Sequence, residues 1–149
     1  MPVIQSAPEE FFGEALDSAI ARVRVSVSVF ARRYLVQLLV RQIEQGCHPS
    51  ETLGDRFALA LTVKERKKRE CLLQEVGDKA LILSGFWWEH NYRPLRPSHA
   101  AFHIDLGCRS YQLHGGVPYE ELAANFGDIA DVLIRLGTDH SLKSARDIL

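Results

Sequence analysis

Arg22-Val-Arg-Val-Ser-Val-Ser-Val29 is the stretch on which the fold class turns. Val23, Val25, Val27 and Val29 alternate with Arg24, Ser26 and Ser28, the period-2 pattern of a half-buried strand. A strand needs partners, and no second alternating run exists elsewhere in the chain to pair with it. Residues 22–27 therefore read as an extended connector, with Ser28 as the cap of the helix that follows. A helix continuing through the segment is the alternative. Without that strand the chain is all-α.

Working outward, the helical period dominates. Upstream, Phe12, Leu16, Ala19, Ile20 and Val23 share one helix face. Pro8 suits a first helical position, where no N–H is needed, and Glu9 and Glu10 suit the positive helix end. This predicts a helix over about 8–21. Downstream, a helix over about 29–45 buries Leu35, Leu38, Leu39 and Ile43 and stops at Gly46. Pro49 and Ser50 mark a loop before a short helix near 52–61. Thr62-Val-Lys-Glu65 has the form of a capping box. It opens a helix whose Leu72, Val76, Ala80, Leu83 and Trp87 recur at helical spacing. Gly77 within that run costs about 1 kcal/mol against Ala, which a close helix crossing or a kink would account for.

The loop from Asn91 to Ser98 contains Pro94 and Pro97, and Ser98 suits the cap of a fifth helix over about 99–113. Gly115-Gly116 breaks the chain, and Pro118 starts a sixth helix. Its stripe is Leu122, Phe126, Ile129, Leu133 and Leu136, ending at Gly137; Ser141 suits the cap of a short last turn to Ile148. The expected architecture is a single domain over 1–149, a bundle-like array of five to six helices.

Bulk properties agree. The chain has 149 residues, 46% hydrophobic and 25% charged, the balance of an ordinary globular domain. Eighteen basic and nineteen acidic residues give a net charge of −1, which argues against a dedicated nucleic-acid binder. Cys47, Cys71 and Cys108 are odd in number and form no Cys-x-x-Cys pair, the usage of a reducing compartment. The N-terminal residues lack the basic start and apolar core of a signal peptide. Between Ala19 and Ile43, Arg22, Arg24, Arg32, Arg33 and Arg41 exclude a membrane span. A cytoplasmic setting is expected.

Several segments together carry a resemblance: Arg69-Glu-Cys-Leu-Leu-Gln-Glu-Val-Gly-Asp78, Ala80-Leu-Ile-Leu-Ser-Gly-Phe86 with Glu89, and Leu106-Gly107 with Tyr111. Glu121-Leu-Ala-Ala-Asn-Phe126, Asp131-Val-Leu133 and Tyr34-Leu-Val-Gln-Leu-Leu39 belong to the same pattern. Over residues 28–137 the chain resembles an uncharacterised family of small all-helical bacterial proteins with no assigned activity. The resemblance implies a helical fold and a bacterial, cytoplasmic setting, and it carries over no functional residue. The Trp87-Trp88 pair departs from the family pattern, which has Phe or Tyr followed by a small residue or Pro.

Histidine is the most suggestive residue type for a metal. His99 and His103 are four apart and share a helix face. His114 faces the same way but lies about 16 Å further along, beyond reach of one ion, and Cys108 points elsewhere. Glu89 and His90 are the candidate third ligands. Against a metal, the pair lacks the Glu of His-Glu-x-x-His and the Glu-x-x-His repeats of a bundle di-iron site, so histidines near a helix start are the plainer account.

Phe86-Trp87-Trp88 cannot enter one core stripe, because successive helix positions are about 100° apart. Leu83 and Trp87 continue the buried face, which turns Trp88 or Phe86 toward an edge, where an exposed Trp serves as a contact anchor. Tyr92, Arg93 and Arg96 follow in the Pro-rich loop. Core packing of all three aromatics at a helix end is the plainer reading. Lys64-Glu-Arg-Lys-Lys-Arg69 spreads its cations around the helix with no interleaved aromatic, the pattern of a solvated face. Asp128 and Asp131 read as a polar bundle edge, and Asp78 as an interior acceptor for a backbone group or an Arg.

No phosphate loop, dinucleotide fingerprint or nucleophile elbow occurs. The expectation is a non-enzymatic helical interaction protein, a homodimer or a protein that docks a partner, using Trp87, Trp88, Tyr92, Arg93 and Arg96. No cofactor is expected. The alternative is a small-molecule-binding or metal-binding helical protein, a helical enzyme included. Its site would lie between the fourth and fifth helices, around Trp87, Glu89, His90, His99 and His103.

Overall fold

The computed structural model describes residues 2–45, 53–86 and 97–138. Those residues form seven helices and no strand: α1 (Pro2–Val23), α2 (Val29–Gln45), α3 (Leu53–Thr62), α4 (Arg66–Ser84), α5 (Pro97–His114), α6 (Tyr119–Ala124) and α7 (Phe126–Thr138). The fold is all-α.

The Val-rich stretch is a connector from Arg24 onward, whereas Arg22 and Val23, expected in the connector, still belong to α1. α1 ends at Val23, Arg24 takes a left-handed turn with φ 63°, and residues 25–28 carry no regular structure. The Ser28 hydroxyl accepts the Ala31 backbone N–H at 3.2 Å, so it caps α2. Glu121 of α6 clamps the same serine, accepting its backbone N–H at 2.8 Å and its hydroxyl. Val25 and Val27 are half-buried against the core, which satisfies their alternation without a partner strand.

α4 organises the rest. It packs most extensively on α5 and also meets α3 and α7; α1 lies against α2 and α7, and α6 touches α5 and α2. From Val76 to Phe86 every residue but Lys79 is buried, as befits a helix surrounded by others. Its apolar face runs through Leu73 rather than the expected Leu72, which is only half-buried. Gly77 marks a close crossing: a Cβ there would lie 2.6 Å from Tyr111 Cδ1. Gly107 of α5 does the same for Phe126, 2.7 Å from its Cε2, and for Ala80.

Four further boundaries differ from the sequence reading. α1 begins at Pro2, so Pro8 lies inside it; Pro2 takes the first position, and Pro8 leaves one carbonyl unpaired near the helix start. Thr62 opens no capping box, because its hydroxyl donates to Leu59 O at 2.8 Å and closes α3, while Glu65 occupies the N-cap of α4 without a side-chain bond. α5 starts at Pro97, which places Ser98 within the helix rather than at its cap. The expected sixth helix is two. Asn125 interrupts it: its backbone leaves the helical range at φ −116° and ψ 23°, and its side-chain amide, at 3.2 Å, joins its own N–H, at 3.1 Å, on Glu121 O. The stripe Leu122, Phe126, Ile129, Leu133 and Leu136 is buried nonetheless. Gly46 and Ser141 lie outside the described residues.

Candidate functional site

Among the described residues, the buried carboxyl is that of Asp78, where α4 and α5 cross. Because Gly77 has no side chain, the Tyr111 ring lies flat against α4, and its hydroxyl donates to Asp78 Oδ1 at 2.7 Å. Tyr34 of α2 donates to the same oxygen at 2.5 Å and accepts Gln74 Nε2 at 3.2 Å. The other carboxylate oxygen faces Arg41 Nη2 at 3.8 Å. The left-handed pair Gly115 (φ 72°) and Gly116 (φ 78°) turns the chain back after α5. That turn sets Tyr119 edge-on to Tyr34, with ring centroids 5.3 Å apart, and stacks His114 on Tyr119 at 3.8 Å.

Burial dominates the electrostatics of this network. It pushes the Asp78 carboxyl above its ordinary value, against the opposing pull of the Tyr34 and Tyr111 hydroxyls and Arg41. Burial likewise raises Tyr34, Tyr111 and Tyr119, so the phenols stay protonated donors. Asp78 Oδ1 thus has two hydroxyl donors, and the outward route passes Tyr34 and Arg41. There an open cavity of about 450 Å³ is lined by Glu9, Tyr34, Gln37, Val40, Arg41, Glu44 and Gln74.

A second feature lies on the outer side of α1 and α2. Glu9, Glu10 and Glu14 form one wall of a groove of about 510 Å³; Val29, Arg32, Arg33, Val36 and Gln37 form the other, with Gly13 at the base. Arg32 crosses toward α1 and bonds Asp17 through Nε at 2.7 Å and Nη2 at 2.9 Å. That bond lowers Asp17 and raises Arg32. Val29 and Phe30 stand 70% and 65% exposed where α2 begins.

Of the residues singled out from sequence, Trp87, Trp88, Glu89, His90, Tyr92, Arg93 and Arg96 lie outside the described residues. His99 lies in α5, but its side chain is likewise outside them. His103 is half-buried beside Phe102, and His114 serves the Tyr119 stack. Phe86 is buried at 2% exposure and meets Phe12 edge to face, so that aromatic is core. Cys108 directs its thiol to Ala123 O at 3.2 Å, and burial raises its pKa. Among the described residues no three His, Cys, Asp or Glu side chains converge as a metal set. Asp128, Asp131 and the run from Lys64 to Arg69 are exposed, with Arg66 paired to Glu70 at 3.0 Å.

Asp78 is an interior acceptor, as read: Arg41 pairs with Oδ2 at 3.8 Å, and two tyrosines from α2 and α5 donate to Oδ1. The charged residue beside a glycine in an apolar run was the signal in the sequence. Its partners lie 44 and 33 residues away and share no local pattern with it.

The fold and site define a helical bundle built around a carboxyl–tyrosine network that is buried on its Tyr111 side and opens past Tyr34. Comparison with family models, curated proteins and solved structures finds no match to this chain. Among the described residues no helix is long and apolar enough to cross a membrane.

Proposed function

We propose that the chain is a non-enzymatic helical interaction protein that self-associates or docks a protein partner in a bacterial cytoplasm. The observation that carries this reading is the pairing of exposed Val29 and Phe30 with a charged groove between α1 and α2. The likeness to small helical bacterial proteins and the aromatic segment Trp87-Trp88 with Tyr92, Arg93 and Arg96 belong to the same proposal. Asp78 Oδ1 already accepts two hydroxyls, which suits a structural clamp better than a reacting group. The test is sedimentation of the full, untagged chain over a concentration series, together with capture from its native lysate. A strictly monomeric chain that retains no partner refutes the reading; a dimer, or a stoichiometric partner lost in Phe30→Ala or Trp88→Ala, supports it.

A second reading rests on the cavity beside Asp78, whose lining shares Tyr34, Arg41 and Gln74 with the buried network. A small molecule held there would be retained through gentle purification and seen by native mass spectrometry, and Arg41→Ala would lose it. The metal version, at His99 and His103 with Glu89 and His90, predicts stoichiometric metal that disappears in His99→Ala.

A further inference from the structure

The α1–α2 groove has two walls of opposite charge. On the α1 side stand Glu9, Glu10 and Glu14, all exposed; on the α2 side stand Arg32 and the exposed Arg33. Arg32 is committed to Asp17. Among the described residues, Arg33 and the three glutamates form no ion pair within the molecule. The groove also carries apolar surface on its α2 side: Val29 lines it, and Phe30 stands exposed beside Val29. A surface with an acidic edge on one helix and a basic edge on the other is complementary in charge to itself.

We infer that this groove is the contact face of a two-fold homodimer, in which Arg33 of each copy faces Glu14 and Glu10 of the other. The inference rests on the self-association part of the proposed function and gives it a surface. Charge decides the symmetry. A two-fold axis lying in the interface and running across the groove would set acid against acid and arginine against arginine. An axis running along the groove exchanges the two walls, so each acidic wall meets a basic one. The two copies of α2 therefore run parallel, and Phe30 of each is covered beside the α1 of the other. No segment outside this pair of helices is required to complete the contact.

The test uses the full chain and three variants in sedimentation or light scattering at low salt. Arg33→Glu and Glu14→Arg each place like charges across the groove twice, and each should weaken the dimer by roughly a hundredfold or more. An equimolar mixture of the two variants should restore association, because both cross-groove contacts then pair unlike charges. The double variant Arg33→Glu/Glu14→Arg should dimerise alone. Restoration also shows that neither variant is merely misfolded. Rising salt should weaken the wild-type dimer.

A wild-type dimer indifferent to Arg33→Glu overturns this surface and leaves self-association standing, with the Trp87-Trp88 segment next to be mutated. A chain monomeric to roughly 100 μM overturns the self-association too, whether the groove then takes another protein or none. Weakening by both single variants without recovery in the mixture overturns the axis along the groove.

Discussion

Two helix pairs in this bundle use glycine in opposite ways. At the α4–α5 crossing, Gly77 faces the ring of Tyr111, which is fully buried and bonded to Asp78. At the α1–α2 pair, Gly13 faces the guanidinium of Arg32, with Nη2 2.9 Å from where a Cβ would stand. The first neighbour is a rigid ring held on all sides, and the second is the end of a flexible, largely exposed side chain. One contact is sealed and fixes the fold. The other stays open and charged, with surface left over for something else to cover.

The same substitution separates them most sharply. Gly77→Ala should cost about 2 kcal/mol net, overpacking of about 3 less about 1 regained in helix propensity. That corresponds to a fall in Tm of roughly 6 °C for a chain of this size. Gly13→Ala should be neutral or stabilising by up to about 1 kcal/mol, since Arg32 can swing aside. Urea unfolding of both variants reads the difference, and equal costs would abolish the distinction.

Within the sealed crossing, Tyr111→Phe should cost about 1.5 kcal/mol, because a buried carboxyl loses a donor that water cannot replace. Tyr34→Phe should cost less, about 0.7 kcal/mol, because it borders the open cavity and water can reach Asp78 from that side. The double variant should be non-additive, since both hydroxyls serve one oxygen.

The pH dependence should have opposite sign in the two regions. Burial holds the folded-state pKa of Asp78 above its unfolded value, so the native chain binds the extra proton. The stability it contributes is full below about pH 4 and is lost as pH rises through the folded pKa. Unfolding free energy of wild type minus Asp78→Asn should therefore decline over that range and then level off. A flat difference would mean that the carboxylate is as well solvated inside as in water. Asp17 is the reverse case: the Arg32 bond lowers it, so its contribution is present above the ordinary carboxylate pKa and lost as pH falls through the folded value.

Smallest of all is the exposed ion pair itself. Asp17→Asn should change stability by no more than about 0.5 kcal/mol, because both side chains are largely in water and salt screens them. A larger loss measured by urea unfolding at 0.15 M salt would show that the α1–α2 pair is tighter than its exposure suggests.

Much of the fold is legible in the chain because it is local. The apolar steps of α1, α2 and α7 recur within four residues, and the caps and breaks at Ser28 and Gly115-Gly116 act within three or four. Local pattern failed where two local bonds compete for one group. Thr62 could cap forward or bond backward to Leu59, and Asn125 could continue a helix or interrupt it through Glu121. Periodicity does not weigh those alternatives.

From the sequence alone the chain reads as all-helical, with residues 22–27 a connector or a continued helix rather than a strand, and with Gly77 marking a close helix crossing or a kink. Which neighbour it has was decided by tertiary structure alone, as were the tyrosines that answer Asp78 and the facing of the α1 glutamates toward the α2 arginines. The physical reason is range. Helix periodicity and capping are carried by bonds between residues a turn apart, whereas a buried carboxyl or a charged groove depends on how whole helices are placed against one another.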